Sequence, residues 1–349
     1  MVSKFVSVSS IKHLITESPG FAKKELSDYK LDIAALCQFG CLYCSSNAGN
    51  YLRINREKFA EQAQRQLGER LYPKTSPELV LTWPDWREKL IAQLDKERPG
   101  FGAGETLVFS MLTDGFAPHL VQSGATRDAL DLILERTQFR VRVLTKNAVV
   151  GRPQWLDFFR AHDERFVVGL STGTTDDAWA KKVEKLTALP TNRLKALRNL
   201  QDAGVPTYGM LCPVFPDMLS GHRLEQLVDA IRPDQGEHVW AEPFNDRQNW
   251  QKVRDGFEES SEAYHWLTAA FGGQKKDHAL WSAYATELYV RLRNKARAEG
   301  WLRKLRYLLY EDKITASDAA QFAGLEGVLL QSKPGIDGKS RNPHIAALQ

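Results

Sequence analysis

The chain has 349 residues, 43% hydrophobic and 26% charged, with a formal net charge of +4. This is the balance of a globular protein with a sizeable core, one large domain with an appendage or two ordinary ones, and it excludes a disordered or low-complexity chain. The charge is too mild to name a partner. The longest apolar runs, such as Phe166–Leu170 and Val328–Leu330, are far short of the roughly 20 residues of a membrane helix, and the first ten residues carry neither an apolar signal core nor a cleavage site. A cytoplasmic protein is expected.

Residues 1–27 read as a lead-in segment, and Lys30–Leu36 as a short buried strand running into a cysteine cluster. Arg56–Leu71 carries Phe59, Ala63, Leu67 and Leu71 at helical spacing, and Trp86–Leu94 is amphipathic, with Pro84 before it and Asp85 as a candidate N-cap. A regular alternation follows: strand Thr106–Met111, helix Arg127–Arg136, strand Arg140–Thr145, helix Gln154–Ala161, strand Phe166–Ser171. It continues with helix Asn192–Ala203, closed by Gly204, then strand Val205–Leu211, helix His222–Ile231 and strand His238–Glu242. Alternating strands and helices argue for βαβ units and a parallel sheet. Counting Lys30–Leu36 there are six strands, which predicts an α/β fold of the partial (β/α)6, TIM-like barrel kind rather than a closed eight-stranded barrel. Residues 28–250 form this expected core. Residues 251–349 read as a mainly helical C-terminal region, with a strong helix at Ala279–Glu299 and a strand at Leu305–Tyr310. Gly272-Gly273 and the tail from Lys333 onward are the candidate flexible linkers.

Four cysteines occur, and three fall within eight residues as Cys37-Gln-Phe-Gly-Cys41-Leu-Tyr-Cys44, a C-x3-C-x2-C spacing. A secreted disulfide framework spreads its cysteines along a short chain, and a zinc site pairs one C-x2-C with a second half, which neither Cys212 nor the scattered histidines provide. Three thiolates from one loop can ligate a [4Fe-4S] cubane and leave one iron open, whereas an electron-transfer ferredoxin closes its cluster with four cysteines.

This motif, with aromatic Tyr43 just before the third cysteine, resembles that of the radical S-adenosylmethionine (SAM) superfamily. Further blocks resemble its spore photoproduct lyase-like (DNA repair photolyase-like) branch over roughly residues 28–250: Thr113-Asp114-Gly-Phe-Ala-Pro118, Leu144-Thr-Lys-Asn147, Gly169-Leu-Ser-Thr172, Val183-Glu-Lys before Pro190-Thr-Asn-Arg193, and Glu242-Pro-Phe-Asn245. The resemblance implies that Cys37, Cys41 and Cys44 hold a [4Fe-4S] cluster whose open iron binds SAM. Reductive SAM cleavage then yields a 5′-deoxyadenosyl radical that abstracts hydrogen from the substrate, with flavodoxin or ferredoxin as an electron donor. It further implies a SAM-binding set of Tyr43, Thr113, Asp114, Lys146, Ser171 and Asn245. Thr113 and Asp114 would receive the SAM amino group, Lys146 the carboxylate, Ser171 or Thr172 the ribose and Asn245 the adenine. Glu184 and Arg193 read as an ion pair, and Cys212 as a candidate hydrogen donor to a product radical, with an inert buried thiol as the alternative.

The branch points to a nucleobase substrate, a damaged or hypermodified thymine in DNA or in a nucleotide, acted on by a lyase or isomerase in repair or base modification. Spore photoproduct lyases carry a cysteine just before the block matching Thr113-Asp114. Here that stretch reads Phe109-Ser-Met-Leu112, which argues against spore photoproduct reversal itself. A radical SAM enzyme acting on a peptide or small metabolite, and a non-catalytic iron–sulfur electron carrier, are the other readings. Arg291, Arg293, Lys295, Arg297, Arg303, Lys304 and Arg306, with Trp301, Tyr307 and Tyr310 in and just beyond them, suggest phosphate contacts with base stacking, or else a solvated helix face.

Overall fold

In the computed structural model, which describes residues 2–46, 49–246, 248–332 and 339–347, Lys30–Leu36 is not one strand. It divides into β3 (Tyr29–Leu31) and β4 (Ala34–Leu36), which belong to different sheets. The break falls at Asp32, a residue type disfavoured in strands, whose buried carboxylate reaches away to the main chain of residues 111–113. Three further strands escaped the sequence pattern near the N-terminus: β1 (Lys4–Ser7), β2 (Ile15–Glu17) and β5 (Leu79–Thr82).

The chain forms two compact units, residues 1–170 with 180–206, and residues 171–179 with 207–349. The expected boundary near residue 250 therefore falls within the second unit. In the first unit β6 (Thr106–Phe109), β7 (Arg140–Thr145) and β8 (Phe166–Ser171, its last residue counted with the second unit) run parallel, β3 joins β6 in parallel and β2 pairs antiparallel with β3. A separate three-stranded sheet has the order β1-β5-β4. Leu107, Val108, Phe109, Val141, Val143, Val167 and Val168 are fully buried, the near-continuous apolar run of parallel strands covered on both faces. The first expected helix stops at Leu67 rather than Leu71, because Gly68 takes a left-handed φ of 77° and closes it.

The second unit is built on β9 (Thr207–Val214), β10 (Gly236–Pro243), β11 (Leu305–Leu309) and β12 (Val328–Leu330), all parallel in the order β12-β11-β10-β9. After residue 250 the chain thus adds two strands to its helices. The 21-residue helix His278–Ala298 buries Trp281, Tyr284, Ala285, Leu288, Tyr289, Leu292 and Ala296, one face at three- and four-residue spacing. Of the tail expected to be flexible, 333–338 lie outside the described residues. Further along, Asn342 is buried and donates to the carbonyls of Glu311 and Ile314 at 2.6 and 2.8 Å, so this part is tied down. Gly272 ends the helix Glu262–Phe271 with its N–H on the Thr268 carbonyl, so it serves as a helix stop. Among the described residues no helix is long and apolar enough to cross a membrane.

One buried carboxylate in this unit gives a pH signature. Asp217 is 6% exposed, 3.1 Å from the Thr174 hydroxyl and 3.5 Å from Arg223, and burial pushes its pKa up to about 6. A carboxyl raised in the folded state favours folding below its unfolded pKa and loses that contribution as pH rises through the folded value. The gap between about 6 and the ordinary 3.8 corresponds to about 3 kcal/mol. Asp217→Asn should therefore raise the unfolding free energy at pH 7.5 by about 1–3 kcal/mol, with the gain fading below pH ~4. Chemical denaturation across a pH series measures it, and equal gains at both ends of the series would refute the assignment.

Candidate cluster and cofactor site

The cysteine loop follows β4 directly. Phe39 is buried and anchors it, and Gly40 adopts a φ of 60° where a Cβ would lie 2.6 Å from the Pro77 carbonyl oxygen. Only glycine fits there, so the bend that separates Cys37 from Cys41 is built into the sequence. Across from it, the segment after the helix Asp177–Val183 runs antiparallel to the loop. Cys41 bridges Glu184, the Leu42 N–H donates to the Val183 carbonyl at 3.0 Å, and the Leu186 N–H donates to Phe39 at 3.2 Å.

Cys37, Cys41 and Cys44 are free and half-buried. Burial, then the neighbouring Cys44 and Asp114, push the Cys37 thiol up to about 12, while N–H groups of Phe39 and Asp114 directed at it favour the thiolate. The Cys41 thiol is raised well above its ordinary value, first by burial, with the Lys146 charge opposing and Glu184 reinforcing. Such thiols hold their protons in the absence of metal and release them to iron, so loading is favoured by higher pH. Among the described residues no three His, Cys, Asp or Glu side chains are grouped around a single metal ion. A cubane instead takes each thiolate on a different iron. Three free thiols on one braced loop, one of them facing two backbone N–H donors, fit that group.

The ends of β6 and β7 meet this loop. Asp32, 1% exposed, accepts with Oδ1 from the N–H groups of Met111, Leu112 and Thr113 at 2.9, 2.8 and 3.3 Å, and from the Thr113 hydroxyl at 3.5 Å. Asp114 is likewise buried. Its carboxylate accepts from the Phe116 N–H at 2.9 Å, the Thr145 hydroxyl at 2.8 Å and the Lys146 N–H at 2.8 Å. Burial raises its pKa against the pull of these donors. Both oxygens of Asp114 thus hold the turns after β6 and β7 in place. Lys146 is half-buried, with its ammonium 5.6 Å from the centre of the Tyr43 ring, a cation–π distance. Tyr43 donates to Glu184, which also pairs with Arg193. Burial first, and then Glu184, hold the Tyr43 phenol well above its ordinary pKa.

The first unit thus brings together Cys37, Cys41, Cys44, Tyr43, Thr113, Asp114, Lys146, Glu184 and Arg193. Ser171, Cys212 and Asn245 lie in the second unit, where the Ser171 hydroxyl donates to the Cys212 carbonyl at 3.0 Å and the Lys313 ammonium donates to the Asn245 side-chain oxygen at 2.6 Å. Asp32 was missed in the sequence. Its only signal was an acidic residue inside an apolar strand pattern.

The basic run is engaged internally. Arg291 grips Glu225 through two nitrogens at 2.9 and 2.6 Å, Lys295 pairs with Asp229 at 2.5 Å, Arg297 pairs with Glu326, and Lys304 donates to the carbonyls of Pro233 and Asp234. Arg293 donates to the Gln321 carbonyl, Trp301 and Tyr307 are buried, and Tyr310 donates to Glu242. These five basic side chains thus have partners within the second unit, and two of the three aromatic rings lie in its core.

No family model matches the chain. It is 24% identical over 127 residues to an uncharacterised protein of Methanocaldococcus jannaschii, a match that takes in 36% of this chain and 46% of that protein, so it spans about half the length of this curated relative. Among solved structures, a spore photoproduct lyase variant superposes with a TM-score of 0.50 at 12% identity, covering 94% of this chain and 82% of the other. Native anSMEcpe with bound AdoMet superposes with a TM-score of 0.44 at 11% identity over 78% and 62% of the two chains. The superposition on the spore photoproduct lyase variant shows that the chain shares the fold of that enzyme.

Proposed function

We propose that the protein is a radical SAM enzyme that holds a [4Fe-4S] cluster on Cys37, Cys41 and Cys44 and acts on a nucleobase. The substrate in this reading is a damaged or hypermodified thymine, in DNA or as a nucleotide, and the reaction is repair or isomerisation. The observation that carries it is the convergence in the first unit of the three-thiol loop with the ends of β6 and β7, where the Asp114 N–H is directed at Cys37 and Lys146 stands over Tyr43. The bound cluster supplies the electron that splits SAM and so generates the hydrogen-abstracting radical. The chain's own residues hold and orient. Lys146 neutralises the SAM carboxylate as a compact charge, and Thr113 and Asp114 present the loop that Asp32 pins. Ser171 and Asn245 serve the ribose and adenine, and the Cys212 thiol would be the hydrogen donor to a product radical, its own thiyl recovering hydrogen from 5′-deoxyadenosine. An enzyme of this kind reaches a base only when the base is unpaired or flipped out. The nucleobase assignment is supported by the fold shared with spore photoproduct lyase.

The test is anaerobic. Dithionite-reduced protein should convert SAM to methionine and 5′-deoxyadenosine, and digested genomic or phage DNA treated with it should show an altered nucleoside by mass spectrometry. Lys146→Ala should weaken SAM binding about tenfold or more, as loss of a charge-assisted contact does. Intact SAM would leave the carrier reading, and SAM cleavage with unchanged nucleosides would move the substrate to a peptide or small metabolite. Unaltered SAM affinity in Lys146→Ala would return that residue to the scaffold.

A further inference from the structure

Glu184 and Arg193 make a buried ion pair, with side chains 3% and 1% exposed. A pair so placed is a poor source of stability, because the cost of desolvating two charges roughly cancels their attraction, and apolar residues of similar volume would serve as well. What such a pair does supply is direction. Both oxygens of Glu184 are used: one accepts from the Tyr43 hydroxyl and the other from the Arg193 guanidinium. Arg193 itself is carried on the helix Pro190–Asp202, which is seated in the core by Ala196, Leu197 and Leu200. The main chain at Glu184 is meanwhile bridged to Cys41, with Leu42 and Phe39 hydrogen-bonded to its neighbours Val183 and Leu186. The loop between the first and third cysteines is therefore held from one segment by both backbone and side chain, and the side-chain hold ends in a rigid helix.

We propose that Glu184 and Arg193 are positioning residues for the cysteine loop: acting through Tyr43 and the main chain at Cys41, they set how firmly the cluster's thiolates are held and the potential at which it is reduced. This rests on the reading of the loop as cluster-binding. The charge of Glu184 is felt at Cys41, to which its main chain is bridged, and Arg193 is paired with it; the charge around a cluster is one of the levers on its potential. Removing one member should then have an effect whose sign depends on which member is removed, which a purely structural role would not produce.

The experiment uses the full-length protein, reconstituted with iron and sulfide without oxygen, and follows iron content, chelator-driven iron release and the midpoint potential by redox titration monitored by electron paramagnetic resonance. Arg193→Met leaves an uncompensated carboxylate and should lower the potential. Glu184→Gln removes that carboxylate and should raise it. The double variant should return close to the starting potential. Tyr43→Phe, which deletes one hydroxyl, should keep its full iron but release it to chelator about ten- to a hundredfold faster, the scale of a lost hydrogen bond to a charged group. Potentials that stay fixed, or that move in the same direction in both single variants, overturn the proposal. If the single variants do not fold, Tyr43→Phe decides, and release at the unsubstituted rate overturns it. A starting protein that takes up no cluster refutes the cluster reading instead.

Discussion

Replacing Cys37, Cys41 or Cys44 with alanine, one at a time, should reduce iron from about four per chain to near zero and SAM cleavage to background. The expectation is all-or-none because no ligand is spare: the loop offers three thiols, and the fourth cysteine, Cys212, belongs to the second unit. The fold should survive. None of the three sulfurs is in a disulfide, and the loop is held by the buried Phe39, the Gly40 bend and its pairing with residues 183–186. Far-ultraviolet circular dichroism of the apo-proteins should therefore match the unsubstituted chain, while iron and sulfide analysis separates them. Cys212→Ala should retain the full cluster. Any one of the three loop variants that keeps its iron would remove that cysteine from the ligand set.

Asp32→Ala should destabilise the protein by about 2 kcal/mol or more, since it takes the acceptor from one buried and two part-buried backbone donors, and an unsatisfied buried donor costs about 1–3 kcal/mol. Those donors, the N–H groups of Met111, Leu112 and Thr113, converge on one carboxylate oxygen. Burial raises the pKa of Asp32, opposed by the charge of Lys30 and by those same N–H groups. With the folded pKa raised, protonation favours the folded state, so mild acid should not release the loop. Asp32→Asn keeps an acceptor oxygen in place and should recover most of the loss, to within about 1 kcal/mol. Urea unfolding measures both. Because this loop leads into Thr113 and Asp114, the alanine variant should also bind SAM more weakly even where it remains folded. An alanine variant as stable as the unsubstituted chain would show that the three N–H groups find other partners.

What could be read from the sequence was local. The C-x3-C-x2-C spacing lies within eight residues, and Gly40 supplies the bend between the first two thiols, so the loop and its three thiols follow from adjacent residues. The strand–helix alternation from Thr106 to Glu242 was legible for a similar reason: β7 and β8 are apolar runs of strand length, and Arg127–Arg136 and Asn192–Ala203 show helical periodicity with an evident stop at Gly204. The tertiary structure decided what each polar side chain does. Tyr43 and Glu184 are 141 residues apart in the chain, Asp32 lies 79 to 81 residues from the groups it holds, and Arg291 lies 66 from Glu225. A carboxylate has the same sequence signature whether it lies open or, like that of Asp32, accepts from three backbone donors. A run of arginines and lysines reads alike whether it meets phosphates or neighbouring acids. Spacing along a chain reports which groups can share a face or a loop, but which donor satisfies which buried acceptor is set by packing between distant elements, and there the partners of Asp32, Asp114, Glu184 and Arg291 were decided.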